Sequence, residues 1–148
     1  MGGMEPVQKK ANYHLAIMKK RYLDAILTGQ KSVELRLTRG KCAPFGRIAA
    51  GDKIFLKQSS GPVCAVASAA GVKEFSDLTA EGIQGLKQRY NGQIGADQEF
   101  WESRADCKFA VLVWLKDVSP IEPVRIDKKD WRAWVVLTER QNYGLMGL

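Results

Sequence analysis

Between Gly29 and Arg36 the chain reads GQKSVELR, which brings an ammonium, a hydroxyl, a carboxylate and a guanidinium close together as Lys31, Ser32, Glu34 and Arg36. Lys31 stands at the head of the segment, where its ammonium can reach a phosphate or a carbonyl oxygen. Glu34 and Arg36 are two residues apart, so in a strand they share one face at a spacing of about 7 Å. A carboxylate and a guanidinium placed in this way can hydrogen-bond the donor and acceptor edges of a base, or pair with each other. As an exposed ion pair they contribute under about 1 kcal/mol to stability. In a hydrolytic site, Glu34 is placed to act as general base toward a water or a ribose hydroxyl. Ser32 is a candidate nucleophile there, provided that Lys31 has a lowered pKa.

Further candidates lie outside that segment. Arg39 and Lys41 fall in RGKCAPFGR, and Lys57 ends the apolar run KIFLK; all three could contact phosphate. Tyr90 in KQRYNGQ and Trp131 in KKDWRAW stand in polar settings and are the aromatic residues best suited to stack on a base. Gly92 and Gly95 follow Tyr90 and would let a loop close on a ligand. Trp114, inside FAVLVWL, reads as core, and Trp101 beside Phe100 at helical spacing reads the same way. The single histidine, His14, opens an apolar stretch and is expected to be structural.

Three cysteines, Cys42, Cys64 and Cys107, are odd in number and far apart, so neither a disulfide framework nor a paired zinc-site spacing is present. No metal and no cofactor is expected. Cys64 and Cys107 adjoin apolar runs and are expected to be buried, whereas Cys42 lies in the polar loop. The formal charge of +7 is unevenly spread. Residues 1–60 carry 12 Lys and Arg against 4 Asp and Glu, and the remaining residues carry 11 against 12. Such an asymmetry suits a face that binds a polyanion. No apolar run approaches the roughly 20 residues that cross a bilayer, and the opening MGGMEPVQKK lacks the apolar core of a secretion signal. No membrane partner and a cytoplasmic location are therefore expected, and no protein partner is assigned.

The elements that would position these groups follow from periodicity. The 148 residues, 45% hydrophobic, suit one domain, placed at residues 13–148 after a polar tail at 1–12. HLAIM is a short strand. RYLDAILTG places Tyr22, Leu23, Ile26 and Leu27 on one helical stripe and ends at Gly29. KSVELRLT alternates with period two, with Val33, Leu35 and Leu37 on one face. KIFLK and VCAVASA, joined by SSGP, form a hairpin. Residues 76–95 are helical but interrupted by Gly82 and Gly85, which leaves one helix or two short ones. Asp97 caps QEFWESR, FAVLVWL is a central strand, and Pro120 and Pro123 bracket a turn. DWRAWVVL closes the molecule as a last strand or an extended segment. Together these describe an α+β fold built on a small mixed or mostly antiparallel β-barrel with short flanking helices.

That order of pieces resembles the ASCH family of the PUA-like superfamily: a strand, a short helix ending in Gly, the pattern GxKxxExR at Gly29, Lys31, Glu34 and Arg36, then Gly51-Asp52 leading into a strand with Lys57 near its end. The resemblance spans roughly residues 14–137 and implies a PUA-like β-barrel whose cleft takes RNA, a nucleotide or a modified nucleoside, with DNA as a further candidate. It places the motif residues in that cleft. Some relatives are amidohydrolases on N4-acetylcytidine, with a lysine matching Lys31, a threonine where this chain has Glu34, and a glutamate aligned loosely with residues 91–93. This sequence keeps the lysine and lacks the threonine. The resemblance therefore leaves two expectations: a nucleic-acid or nucleotide-binding module, or a small hydrolase or ribonuclease with Lys31 and Glu34 as its chemical residues.

Overall fold

A computed structural model of the chain describes residues 11–128, 130–138 and 143–145. All but the last two residues of the expected tail at 1–12 lie outside that range. Six strands and three helices follow in the order β1 (Tyr13–Met18), α1 (Lys20–Thr28), β2 (Val33–Thr38), β3 (Lys53–Gln58), β4 (Val63–Phe75), α2 (Ala80–Ile94), α3 (Gln98–Ser103), β5 (Phe109–Val124) and β6 (Trp134–Val136). The strands form one sheet in the order β2-β5-β4-β3-β1-β6, curled into a half-barrel. β1 and β3 run parallel and every other pair is antiparallel, so the sheet is mixed. Its ends, β2 and β6, do not pair with each other, and the barrel is open between them.

The curl has a local cause. The β4–β5 ladder shifts register three times, and Asp117 adopts φ 51 within β5. An extra residue on one side of a ladder bends the strand and raises its twist. These irregularities also explain why β5 runs through Pro120 and Pro123, which the sequence placed at a turn. Pro120 stands opposite Ala65 beside one register shift, where a missing N–H costs the ladder least.

The sheet buries both of its faces. On one, Val33, Leu35 and Leu37 of β2 and Ala110 and Leu112 of β5 pack beneath Ile83, Leu86 and Ile94 of α2 and Trp101 of α3. On the other, Leu23 and Ile26 of α1 pack against Ala16, Ile54, Ala65, Val111 and Val113. The interruptions at Gly82 and Gly85 do not break α2, which is one helix: Thr79 caps its start through the Gly82 N–H, and Gly95, in the left-handed region at φ 69, ends it. α1 likewise ends on Gly29 at φ 84. Leu27, expected on the buried stripe, is exposed at the margin of α1.

His14 proves structural. Fully buried, it bonds Asp52 Oδ2 through Nε2 at 2.9 Å and accepts the Trp134 indole N–H on Nδ1 at 2.9 Å. With Nδ1 accepting, Nε2 carries the ring N–H and donates it as a hydrogen bond to the Asp52 carboxylate. Asp52 also accepts the backbone N–H groups of Asn12 and Ala49. Cys107 is buried, Cys64 half-buried and Cys42 exposed.

Candidate functional site

The opening between β2 and the segment leading into β6 is a cleft of about 630 Å³. Glu34, Arg36 and Thr38 of β2 line one side, Ile17 and Met18 of β1 the back, and Lys19, Arg21 and Tyr22 the entrance of α1. Lys57, the β3–β4 turn residues Ser59 and Ser60, Phe100 and Ser103 of α3, and Arg104 just after α3 also line it. Residues 128 and 130–133 form the remaining wall. Because strand side chains alternate, burying Val33, Leu35 and Leu37 under α2 obliges Glu34 and Arg36 to face the opposite side, toward the cleft.

Arg36 spans the gap that the sheet leaves open. Its guanidinium donates to Ile17 O at 3.0 Å and to Ala133 O at 3.2 Å, and lies 5.2 Å from the centre of the Trp134 ring. One side chain thus joins edge strand β2 to β1 and to the start of β6. Its Nη2 also approaches Glu34 Oε2 at 3.5 Å, and its buried Nε has no partner among the described residues. Glu34 Oε1 accepts the Leu35 N–H at 3.0 Å. The pair is not the exposed one that the motif alone would suggest, since the Glu34 side chain is only 10% exposed.

Lys31 lies beneath the cleft and not on its surface. The residue is 4% exposed, and its ammonium donates to Val33 O at 2.9 Å and to Ile94 O at 2.6 Å, with Glu34 Oε1 at 3.8 Å and the Tyr22 ring centre at 5.5 Å. Burial pushes its pKa below the ordinary lysine value; Glu34 pulls the other way and Arg36 adds to the lowering. Lys31 was expected to contact the ligand; the structure places it outside the cleft lining, where it fastens the C-terminal end of α2 to β2 and sits behind Glu34. Ser32 is also outside the lining, its backbone N–H bonded to Gln93 O.

Of the other sequence candidates, Lys57 and Trp131 line the cleft. Burial lowers the pKa of Lys57, and the nearby Lys128 and Arg125 cations lower it further. Trp131 is 99% exposed at the rim. Arg39 turns away from the cleft and clamps α3, bonding Asp106 at 2.9 Å and Ser103 O at 3.1 Å. Lys41 belongs to a neighbouring groove. Tyr90 does not offer a stacking face: it is buried inside α2, edge-on to Trp114, and Gly92 continues the same helix. Its flanking residues are polar because they cover the helix's outer side, which the local sequence could not distinguish from an exposed loop.

Sequence reasoning missed Arg21, Arg104, Lys128 and Arg132, all of which line the cleft. Asp130 binds Lys128 at 3.0 Å and Arg132 at 2.7 Å, and these bonds hold its carboxyl well below the usual range. Arg21 pairs with Asp97 at 2.7 Å. Among the described residues, seven cations therefore line the cleft, Lys19, Arg21, Arg36, Lys57, Arg104, Lys128 and Arg132, against the carboxylates of Glu34, Asp97, Glu99 and Asp130. The alternation of Lys128, Asp130 and Arg132 in KKDWR was the one local signal, and it reads equally as surface charge. Among the described residues no cluster of His, Cys, Asp or Glu could hold a metal, and no helix is long and apolar enough to cross a membrane.

No family model and no curated protein matches the sequence. Solved structures do match. The ASCH protein from Zymomonas mobilis superposes with a TM-score of 0.68 at 17% identity, over 92% of this chain and 94% of that one. Its tyrosine-to-phenylalanine variant gives 0.68 at 16% identity over 92% and 97%, and its serine-to-alanine variant 0.67 at 17% over 90% and 92%. At that identity the likeness speaks for architecture, and with the sheet order and flanking helices described above the chain has the α+β, PUA-like fold of the ASCH structures.

Proposed function

We propose that the cleft binds RNA or a nucleotide, with phosphate received by Lys57, Lys128 and Arg132, a base edge read by Glu34 and Arg36, and a ring stacked on Trp131. The observation that carries this reading is the convergence of seven cations on one concavity with a tryptophan standing open at its rim. The Asp130 bridge preorganises two of those cations, which lowers the cost of ordering them on a ligand. An indole in water has no packing reason to be there, and stacking on a base contributes about 1–3 kcal/mol. The resemblance of GxKxxExR to the ASCH motif supports the same reading.

The test is the affinity for short single-stranded RNA and for nucleotides across a salt series. Binding should weaken as salt rises, with a log–log slope of about 0.7 for each phosphate neutralised on a single strand. Lys57→Ala should reduce that slope by the share of one phosphate. Trp131→Ala should weaken binding by about 1–3 kcal/mol while leaving unfolding stability within about 0.5 kcal/mol. Undetectable affinity, or affinity indifferent to salt, would defeat the proposal.

The hydrolase alternative keeps Glu34 on the cleft but places Lys31 and Ser32 outside its lining. Glu34 itself is engaged by Leu35 N–H and Arg36. N4-acetylcytidine should therefore be recovered intact after incubation with the protein. Turnover abolished by Glu34→Ala would reverse the order of the two readings.

A further inference from the structure

Charge is unevenly compensated across the cleft. Arg21 pairs with Asp97, Arg36 approaches Glu34, and Lys128 and Arg132 take one oxygen each of Asp130. Lys57 has no such partner. Among the described residues its ammonium bonds only Gln58 O, at 3.1 Å, so two of its three N–H groups remain. Its charged neighbours are cations, since Lys128 and Arg125 lie close enough to lower its pKa. Arg125 makes no hydrogen bond or ion pair among the described residues.

The turn that follows Lys57 adds neutral donors. The Gly61 N–H closes it on Gln58 O at 2.9 Å, and the Ser59 N–H goes to Met18 O at 2.7 Å. Both serine hydroxyls and the Ser60 N–H bond no described residue, although Ser59 and Ser60 line the cleft. Ser60 stands at φ 59 in the third position of the turn, where glycine is the usual occupant. A non-glycine residue kept in that region carries backbone strain, and such strain gathers at ligand-facing turns.

An ammonium with two open N–H groups, two hydroxyls and a backbone N–H, in a field of further cations, suit an acceptor that has several oxygens and more than one charge. A phosphate monoester is close to a dianion at pH 7, its second pKa being about 6, and offers three terminal oxygens. An internal phosphodiester is a monoanion with two. We infer that the corner of the cleft where β3 enters its turn is a seat for a terminal phosphomonoester, with Lys57, Ser59 and Ser60 as donors and Lys128 and Arg125 as surrounding charge. The ligand is then a nucleotide that presents a free phosphate. This rests on the RNA or nucleotide reading above and fixes the ionic form in which the ligand is taken.

Uridine and adenosine, their 5′- and 3′-monophosphates, and the methyl esters of those monophosphates are the probes, each titrated against the full chain by calorimetry. At pH 7 a monophosphate should bind about tenfold or more tighter than its nucleoside and about threefold or more tighter than its methyl ester. Its affinity should climb as pH passes from about 5 to about 7, through the second ionisation of the phosphate, while the ester, always a monoanion, shows no matching rise. Any titration of the protein itself acts on both and cancels in the comparison. Lys57→Met should narrow the gap between monophosphate and ester. Ser60→Gly relieves the left-handed backbone, so it should raise unfolding stability while narrowing the same gap, a combination that a purely structural serine would not give. Equal affinity for monophosphate and ester, no differential rise with pH, or a gap unchanged in either variant overturns the seat while leaving the cleft reading in place. Inorganic phosphate that competes as strongly as the nucleotides also overturns it, because the corner then takes the free ion. If neither nucleosides nor nucleotides bind, the cleft reading falls and the seat with it.

Discussion

Lys31 is a motif residue whose ammonium is taken up by the fold around it. Two carbonyl oxygens, one from β2 and one from the end of α2, take hydrogen bonds from its ammonium, and Glu34 lies within ion-pair range. Removing the lysine leaves two buried carbonyls without their donor and Glu34 with Arg36 as its remaining cation. Breaking such a buried arrangement costs about 3–5 kcal/mol, so Lys31→Ala should lose stability on that scale in denaturant unfolding. A loss below about 1 kcal/mol, typical of a surface pair, would show that these bonds are dispensable. The pH dependence has a definite sign. With the native pKa below the ordinary 10.5, the unfolded chain holds a proton that the native chain has released between those two values. Stability contributed by this group therefore rises with pH across that window and is flat below it. The difference in unfolding free energy between the natural protein and Lys31→Met should accordingly grow as pH approaches 10.5, and a constant difference would mean an unperturbed ammonium.

Among the elements, the half-barrel depends on side chains where its ladder is incomplete. Asp52 at the start of β3, His14 on β1 and Trp134 on β6 form a buried chain of hydrogen bonds, and the Trp134 ring then carries Arg36 from β2. These links run from the middle of the sheet to its two unpaired ends. His14→Ala would open a cavity and strand the Trp134 N–H, and the two effects together should cost about 2–4 kcal/mol. Thermal or denaturant unfolding checks the magnitude. None of this network was legible in the sequence, where His14 and Trp134 are 120 residues apart. What could be read were elements with a periodic signature: the alternation of β2, the α1 stripe and its glycine stop, and the apolar run of β5. Periodicity failed where tertiary packing overruled local preference. Pro120 was absorbed beside a register shift in β5, and Gly82 and Gly85 were carried inside α2 because Ile83, Leu86, Tyr90 and Ile94 bury a continuous face.

At the scale of the whole molecule, the site was only partly legible for a reason of geometry. Glu34, Arg36 and Lys57 come from the first 60 residues, where the positive charge is concentrated, and the motif drew attention to them. Arg104, Lys128 and Arg132 come from the half whose charges nearly cancel, and only the folding of α3 and the 130–133 segment over β2 brings them to the same hollow. Convergence of this kind has a kinetic consequence as well as an equilibrium one. A cleft in which cations outnumber carboxylates seven to four carries a net positive field, which raises the rate at which an oppositely charged ligand arrives. Screening acts on that long-range part first, because the Debye length shrinks from about 10 Å at 0.1 M salt to about 3 Å at 1 M. Bonds already formed inside the cleft are less exposed to it. If the cleft binds RNA as proposed, the association rate constant for a short single-stranded RNA, followed by stopped-flow tryptophan fluorescence, should therefore fall steeply with salt, by about tenfold or more over that range, while the dissociation rate changes less. Association indifferent to salt, with the whole effect in dissociation, would mean that the cations act only at close range and that their gathering on one face does nothing to draw the ligand in.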